Sequence, residues 1–443
     1  MMNNTRKFAL AAVPAVAIVL AVAGCSASGG DKKVTAECPD GEVTLSVLRA
    51  ENNSPSDEQL DAYTAENACV QFEVSEVPFG QLAEKIAVTA PSNNAPDIIG
   101  FDSPDTQSYA SQGLLLPLDE YLPDGWMDDV ASATLAENSW DGKVYSPGMQ
   151  QDALALYYNK TMTDAANITV PQTLDEAWTW DEALEAFKAC QQGSGDNTTV
   201  YGLAPSRLGN GTPGFAYRDL LFARSAGDPE ADENSAEYKT YWALSRDGKT
   251  TDGWLNTPEA VEATTWYQNL FNGPDAVTSK TGLPNALIDG KACFDIEVGS
   301  MIGTLTEADP DFEWAVSPLP YFTTPIVHTG AVTVGVSARS KHQEEAAKAV
   351  VAMSTGEQLT TFSRDNLRIP VLKSSVDEID FLQEYPYSIL VQEIQEWGQP
   401  RPPSPSFTQY NQFVTEALRD VAYGSDVKTA LDKAVSQIDP FLK

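Results

Sequence analysis

Histidine is almost absent: the 443 residues hold only His328 and His342. Neither has a partner at a spacing such as H-x-x-x-H, so a zinc site or a histidine-dependent triad finds no support. Cysteine is scarce too, with five in all, and no two stand at C-x-x-C spacing, which sets aside a thioredoxin-type redox motif. Basic residues are few: 28 Lys and Arg face 63 Asp and Glu, for a formal net charge of −35. That balance argues against nucleic acid or an anionic membrane surface as a partner. Gly209, Gly211 and Gly227 lack the following Lys-Ser/Thr of a phosphate-binding loop and the spacing of a dinucleotide fingerprint. No cofactor and no metal is therefore expected. Internal repeats are also missing, and the one long apolar run lies at the N-terminus.

That run is a targeting signal in form. Arg6 and Lys7 precede an apolar stretch over residues 8–23, broken only by Pro14. It ends in Val22-Ala23-Gly24-Cys25, which resembles the lipobox read by the bacterial lipoprotein signal peptidase. Residues 1–24 are then a signal peptide, Cys25 carries the diacylglyceryl and palmitate anchor, and residues 25–40 form a tether that begins Ser26-Ala27-Ser28-Gly29-Gly30. The mature chain is expected outside the cytoplasm, held to the cell membrane by that lipid. About 420 residues remain, more than one hydrophobic core usually organises, so two domains are expected. In an oxidising compartment the four other cysteines are expected as disulfides.

The pattern after the tether is α/β. Residues 43–48 read as a strand, Ser56 with Gln59 opens a helix through a capping box, and residues 69–77 alternate Val70, Phe72 and Val74 on one face of a second strand. Strand, helix, strand favours a parallel sheet. If these strands are neighbours, Cys38 and Cys69, which stand just before them, can be bridged; Cys190 with Cys293 is the remaining pairing. A helix follows around residues 79–90, a short strand at 97–99, and a helical stretch before Gly113. Thr179 and Glu182 cap another helix, residues 291–296 form a strand around Cys293, and residues 314–318 and 331–337 give two more. Helices are expected from about 341 to 353 and in two stripes near the C-terminus, Tyr410 to Val421 and Val427 to Ile438. Acidic and aromatic side chains are plentiful, which suits carbohydrate: carboxylates accept hydrogen bonds from hydroxyls and aromatic rings pack on the C–H faces of a pyranose.

Several blocks in fixed order carry a family resemblance. They are Ala95-Pro96-Asp97-Ile98-Ile99, Gly113-Leu114-Leu115-Leu116-Pro117-Leu118, Trp140-Asp141-Gly142-Lys143, Ala153 through Lys160, the Thr179-Trp180-Asp181-Glu182 helix start, and Asp289-Gly290-Lys291-Ala292-Cys293-Phe294. Across nearly all of the mature chain the sequence resembles the family 1 extracellular solute-binding proteins of ABC transporters, the group that includes maltose-binding protein. The resemblance implies a two-lobe α/β fold with a ligand cleft between the lobes and three crossover segments. Lobe 1 would comprise residues 41–151 and 333–369, and lobe 2 residues 152–332 and 370–443. It also implies a monomer that captures a sugar or oligosaccharide without catalysis and delivers it to the permease subunits of an ABC importer.

The resemblance carries a set of ligand contacts over residue by residue. In the first lobe these are Glu51, Asn52, Phe101, Asp102 and Asp105, with Gln151 and Asp152 at the first crossing; the second lobe adds Arg207, Tyr217, Glu297, Ser300 and Tyr410. Where the family usually shows Gly-Gly-Pro-Trp, this chain has Glu297-Val298-Gly299-Ser300. The lost stacking ring leaves Tyr410 as the remaining aromatic platform, and it opens a second reading in which the same importer role serves a cationic or amino-bearing ligand. A third reading, a secreted glycoside hydrolase, needs two carboxylates about 5 to 9.5 Å apart across one bond.

Overall fold

Capping chemistry starts the helices where the sequence places it. In the computed structural model, which describes Cys38 and residues 41–205, 214–274 and 276–442, Ser56 accepts from the Gln59 N–H and the Gln59 side chain accepts from the Ser56 N–H. The same reciprocal pair joins Thr179 and Glu182 at the head of the helix Trp180–Cys190. Each box satisfies two of the N–H groups that a helix start leaves orphaned.

Among the described residues fourteen strands follow in chain order. They are β1 (Val43–Ala50), β2 (Val70–Val77), β3 (Ile98–Asp102), β4 (Ser139–Trp140), β5 (Lys143–Val144), β6 (Gln150–Gln151) and β7 (Leu154–Asn159), then β8 (Tyr201–Leu203), β9 (Ala292–Val298), β10 (Trp314–Ser317), β11 (Val327–His328), β12 (Val332–Val336), β13 (Ile369–Pro370) and β14 (Gly398–Gln399). Two four-stranded sheets organise them, ordered β12-β3-β1-β2 and β10-β7-β9-β8. In the first sheet β1 runs parallel to β2 and to β3, with Val43 opposite Val70 and Val47 opposite Ile98. β12 closes that sheet antiparallel to β3. The second sheet is mixed: β7 is antiparallel to both β9 and β10, and β8 pairs parallel with β9.

Side-chain alternation along β1 sends Leu45 and Val47 into one core, with Ile98, Val334 and Val350, and Leu48 and Ala50 into another, with Ile86, Ile99 and Phe101. The first sheet is thus covered on both faces, as parallel strands require. Around the second sheet a larger core takes in all of Leu154 to Tyr158, which are 0 to 4% exposed. Burying each large apolar side chain contributes on the order of 1.5–3 kcal/mol.

The chain passes between the sheets three times: between β5 and β7, between β10 and β12, and after β13. Two short ladders mark these passages. β6 pairs antiparallel with β13, with Ile369 opposite Gln151, and β11 pairs parallel with β14. The fold is the two-lobe α/β architecture expected from the sequence. Cys190 is bridged to Cys293 as expected, across 103 residues, fastening the helix Trp180–Cys190 to β9; Cys38 and Cys69 are also disulfide-bonded. Among the described residues no helix is long and apolar enough to cross a membrane. The signal segment, Cys25 and the tether lie outside the described residues.

Candidate functional site

A parallel sheet collects loops at the carboxyl ends of its strands, and ligands of α/β proteins gather there. β1 ends in an exposed turn at Glu51 and Asn52, the latter at φ 57°. β3 ends in Asp102-Ser103-Pro104-Asp105, and Asp105 begins the helix Asp105–Ser111. This second loop meets the segment after β14 and the helix Phe407–Ala422. Arg401, just past β14, donates from both terminal guanidinium nitrogens to the two Asp102 oxygens, at 2.8 and 2.9 Å. Its backbone N–H donates to Glu137 Oε1 at 2.9 Å, and Ser103 Oγ donates to Glu137 Oε2. Thr408, in the helix Phe407–Ala422, donates to Asp105 Oδ1 at 2.9 Å.

The guanidinium of Arg401 also lies over the ring of Tyr217, 4.9 Å from its centroid. That ring is fixed at its far end, where the hydroxyl donates to the His328 carbonyl at 3.1 Å. His328 Nδ1 lies 2.7 Å from the Tyr217 carbonyl and Nε2 lies 2.7 Å from Arg224 Nη1. Burial and the Arg224 cation hold this imidazole well below its usual pKa, so it is neutral, with Nδ1–H donating and Nε2 accepting. Burial likewise lowers Arg224 to about 10.

Three carboxyls here are pushed toward their neutral forms. Burial, then the neighbouring Asp102, raises Asp105 to about 7, against opposing pulls from Thr408 and Arg401. Burial raises Glu137 as well, with Arg401 and Ser103 pulling the other way. Asp152 rises to about 6 by burial, offset in part by backbone N–H donors of Gly299 and Ala153. Asp152 Oδ1 sits 2.7 Å from the Gly299 nitrogen, and a Cβ added at Gly299 would fall 2.7 Å from that same oxygen. Glycine at this position is what lets the carboxylate approach the head of the helix Ser300–Ala308.

The sequence-derived contacts fall into distinct surroundings. Asp102, Asp105 and Tyr217 meet around Arg401, and Asp152 lies beside Gly299. Glu297 is half-buried at the end of β9 and Ser300 is exposed at the start of the next helix. Phe101 and Tyr410 are each 1% exposed. Phe101 packs edge-to-face on Tyr109 with centroids 5.3 Å apart, and the Tyr410 hydroxyl donates to the Ala243 carbonyl. Both occupy core positions, so Tyr410 stands as a buried ring and not as an open platform. Gln151 is spent on structure: it accepts from Thr134 and donates to the Pro370 carbonyl, tying the β6–β13 ladder. Arg207 lies outside the described residues. Among the described residues no group of three or more His, Cys, Asp and Glu is placed to hold a metal ion.

Sequence reasoning missed Glu137, Arg401 and Thr408. Arg401 stands in a proline-rich turn, 299 residues from Asp102, and no local pattern links the two. The one signal available was a lone arginine inside Pro400 to Pro405, where a solvated turn would not need one.

Residues 58–387 match the family of bacterial extracellular solute-binding proteins, and the chain belongs to that family. A binding protein of Brucella abortus (strain 2308) is 25% identical over 347 residues, 75% of this chain and 77% of that one. The maltotriose-binding protein of Pyrococcus abyssi (strain GE5 / Orsay) is 24% identical over 299 residues, covering 67% of this chain and 56% of its own length. Two solved structures share the fold. An ABC substrate-binding protein from Listeria monocytogenes in complex with cycloalternan superposes with a TM-score of 0.75 at 19% identity, over 90% of this chain and 99% of that one. The cyclic alpha-maltosyl-1,6-maltose binding protein from Arthrobacter globiformis gives 0.71 at 23% identity, over 91% and 100%.

Proposed function

We propose that the chain is the extracytoplasmic substrate-binding lipoprotein of an ABC importer, anchored through Cys25. In this reading it captures a sugar or oligosaccharide by lobe closure and delivers it to the permease subunits as a monomer. The lobes are assigned to residues 41–151 with 333–369, and to 152–332 with 370–443; the β6–β13 ladder and the β11–β14 ladder lie at their joins. The observation that carries the reading is the polar constellation where the lobes meet. The partly exposed carboxyls of Asp102, Asp105 and Asp152 keep acceptor lone pairs beyond the bonds they make within the protein, and such acceptors suit a hydroxyl-rich ligand. The sugar names attached to the Pyrococcus, Listeria and Arthrobacter proteins support the same class.

The acidity of this constellation favours a second reading, with an amino-bearing ligand. The two separate by proton linkage. A cationic group beside Asp105 and Asp152 drives them to ionise and releases protons on binding, whereas a neutral sugar accepts them in either state. Thermal unfolding against a panel of oligosaccharides, monosaccharides, amino sugars and polyamines tests both. A ligand at about 100-fold its dissociation constant adds roughly 2.7 kcal/mol to the folded state. A shift with a neutral sugar class upholds the first reading, a shift confined to amines upholds the second, and a flat panel overturns both. An oligosaccharide recovered uncut after prolonged incubation sets aside hydrolysis.

A further inference from the structure

We propose that Arg224 and Arg246 hold a small oxyanion, such as inorganic phosphate, in a cavity between residues 242–248 and the turn at residues 400–403. The cavity spans about 330 Å³, part of it open to solvent, and is lined by Arg224, Trp242, Ser245, Arg246, Pro400 and Pro403. It shares no lining residue with the cluster of Asp102, Asp105 and Asp152. The inference goes beyond the transport role and does not depend on what the cleft binds.

A buried cation is almost always paired. Arg224 departs from that rule: it is 1% exposed, and all its hydrogen bonds go to neutral acceptors. Nε donates to the Tyr241 carbonyl at 2.7 Å, and Nη1 to His328 Nε2 at 2.7 Å and to the Pro400 carbonyl at 3.0 Å. Nη2 has no acceptor among the described residues. Burial draws the Arg224 pKa down to about 10; Tyr241 and Tyr410 oppose this, and the nearby Arg246 cation reinforces it. Arg246 sits over the Trp242 ring, 3.6 Å from its centroid, and makes no ion pair among the described residues. Its neighbour Asp247 is committed elsewhere, accepting from Ser245 Oγ at 2.7 Å and facing Lys249 Nζ at 3.5 Å. The Trp242 Nε1–H is buried and also lacks an acceptor.

Two guanidinium groups and an indole N–H thus meet at one cavity with no negative charge among them. Guanidinium donors match the oxygens of phosphate or sulfate, and a bound anion would supply the counter-charge that Arg224 lacks. The formal charge of −35 repels anions at long range, so retention has to come from this local donor set. Arg224 also links the site to the second crossing, since His328 lies on β11 and Pro400 follows β14. Pro400 leads into Arg401, which packs with Glu137 and Ser103 around the bare Cα of Gly330 at φ +113°. Neutralising Arg224 would steady that turn.

Calorimetric titration of sodium phosphate into the purified chain, in a zwitterionic buffer near neutral pH, tests the site. One saturable site is expected, displaced by sulfate and not by chloride at equal ionic strength. Arg246→Gln, at an exposed position, should weaken phosphate binding by at least about ten-fold. Trp242→Phe, which keeps the ring and removes the N–H, should weaken it as well. Lys249→Gln, on the same loop but outside the cavity, should leave it unchanged. Absence of saturable binding overturns the proposal, as does equal displacement by chloride, full affinity in Arg246→Gln, or an equal loss in Lys249→Gln. Results from the sugar panel bear on the cleft alone and leave this titration unaffected.

Discussion

At the scale of single residues the site is governed by how few cations it holds. Arg401 faces Asp102 and Glu137 directly, with Asp105 close by, and burial, reinforced by the neighbouring carboxylates, favours proton uptake by Asp105 and Glu137. Asp105, raised to about 7, binds its proton more tightly folded than unfolded. Its ionisation therefore costs folded-state stability progressively as pH rises from about 4 to 7, and the cost is largest above 7. Asp152 and Glu137 shift in the same direction. The melting temperature of the parent should fall across that window, and Asp105→Asn should flatten part of the fall, as read by calorimetry from pH 4 to 8. A melting temperature that rises steadily over this range would contradict the assignment. Legibility at this scale was uneven. Asp102, Asp105 and Asp152 were named because the family resemblance carries ligand contacts onto those positions. Their arginine partner was not, because a contact across 299 residues leaves no local trace.

Elements were read best where both partners of an interaction lie close in sequence. The capping boxes at Ser56 and Thr179, and the apolar stripe of the helix Phe407–Ala422, are local facts and appear in the structure as expected. The stripe also explains Tyr410: a ring on the apolar face of a helix is drawn into the core whatever use a cleft could make of it. Pairings in the second sheet were not readable, since Leu154–Asn159 is buried on both faces and carries no alternation to fix its neighbours. β9, one of those neighbours, is tied at one end to the helix Trp180–Cys190 by the Cys190–Cys293 bridge, and its other end leads to Glu297 and Gly299. Replacing both cysteines by serine should cost about 2–4 kcal/mol of unfolding free energy, because it frees a long loop in the denatured chain. Denaturant titration with and without reductant measures this. A loss below about 0.5 kcal/mol would mean that the packing around Phe294 alone secures the strand.

For the whole molecule, charge is the dominant fact. A chain of net charge −35 attracts cations from a distance and is indifferent to neutral sugars, and salt screens only the first effect. Association rates measured between about 0.05 and 0.5 M salt should stay within about two-fold for a neutral ligand and fall steeply for a cationic one. The sequence indicated the architecture of two lobes and three crossings because ordered blocks extend along nearly all of the mature chain. The contacts of Arg401 with Asp102 and of Thr408 with Asp105 were not indicated, because they join residues 299 and 303 positions apart.

Gly330 carries a consequence for descent. Its bare Cα leaves room for Glu137, Ser103 and Arg401 at once. A side chain at 330 would strain the backbone and displace Glu137 and Ser103 as well as Arg401, so losing the arginine alone would not relax the demand for glycine. Among relatives of this protein, those that keep Glu137 and Ser103 in this packing should keep glycine at 330.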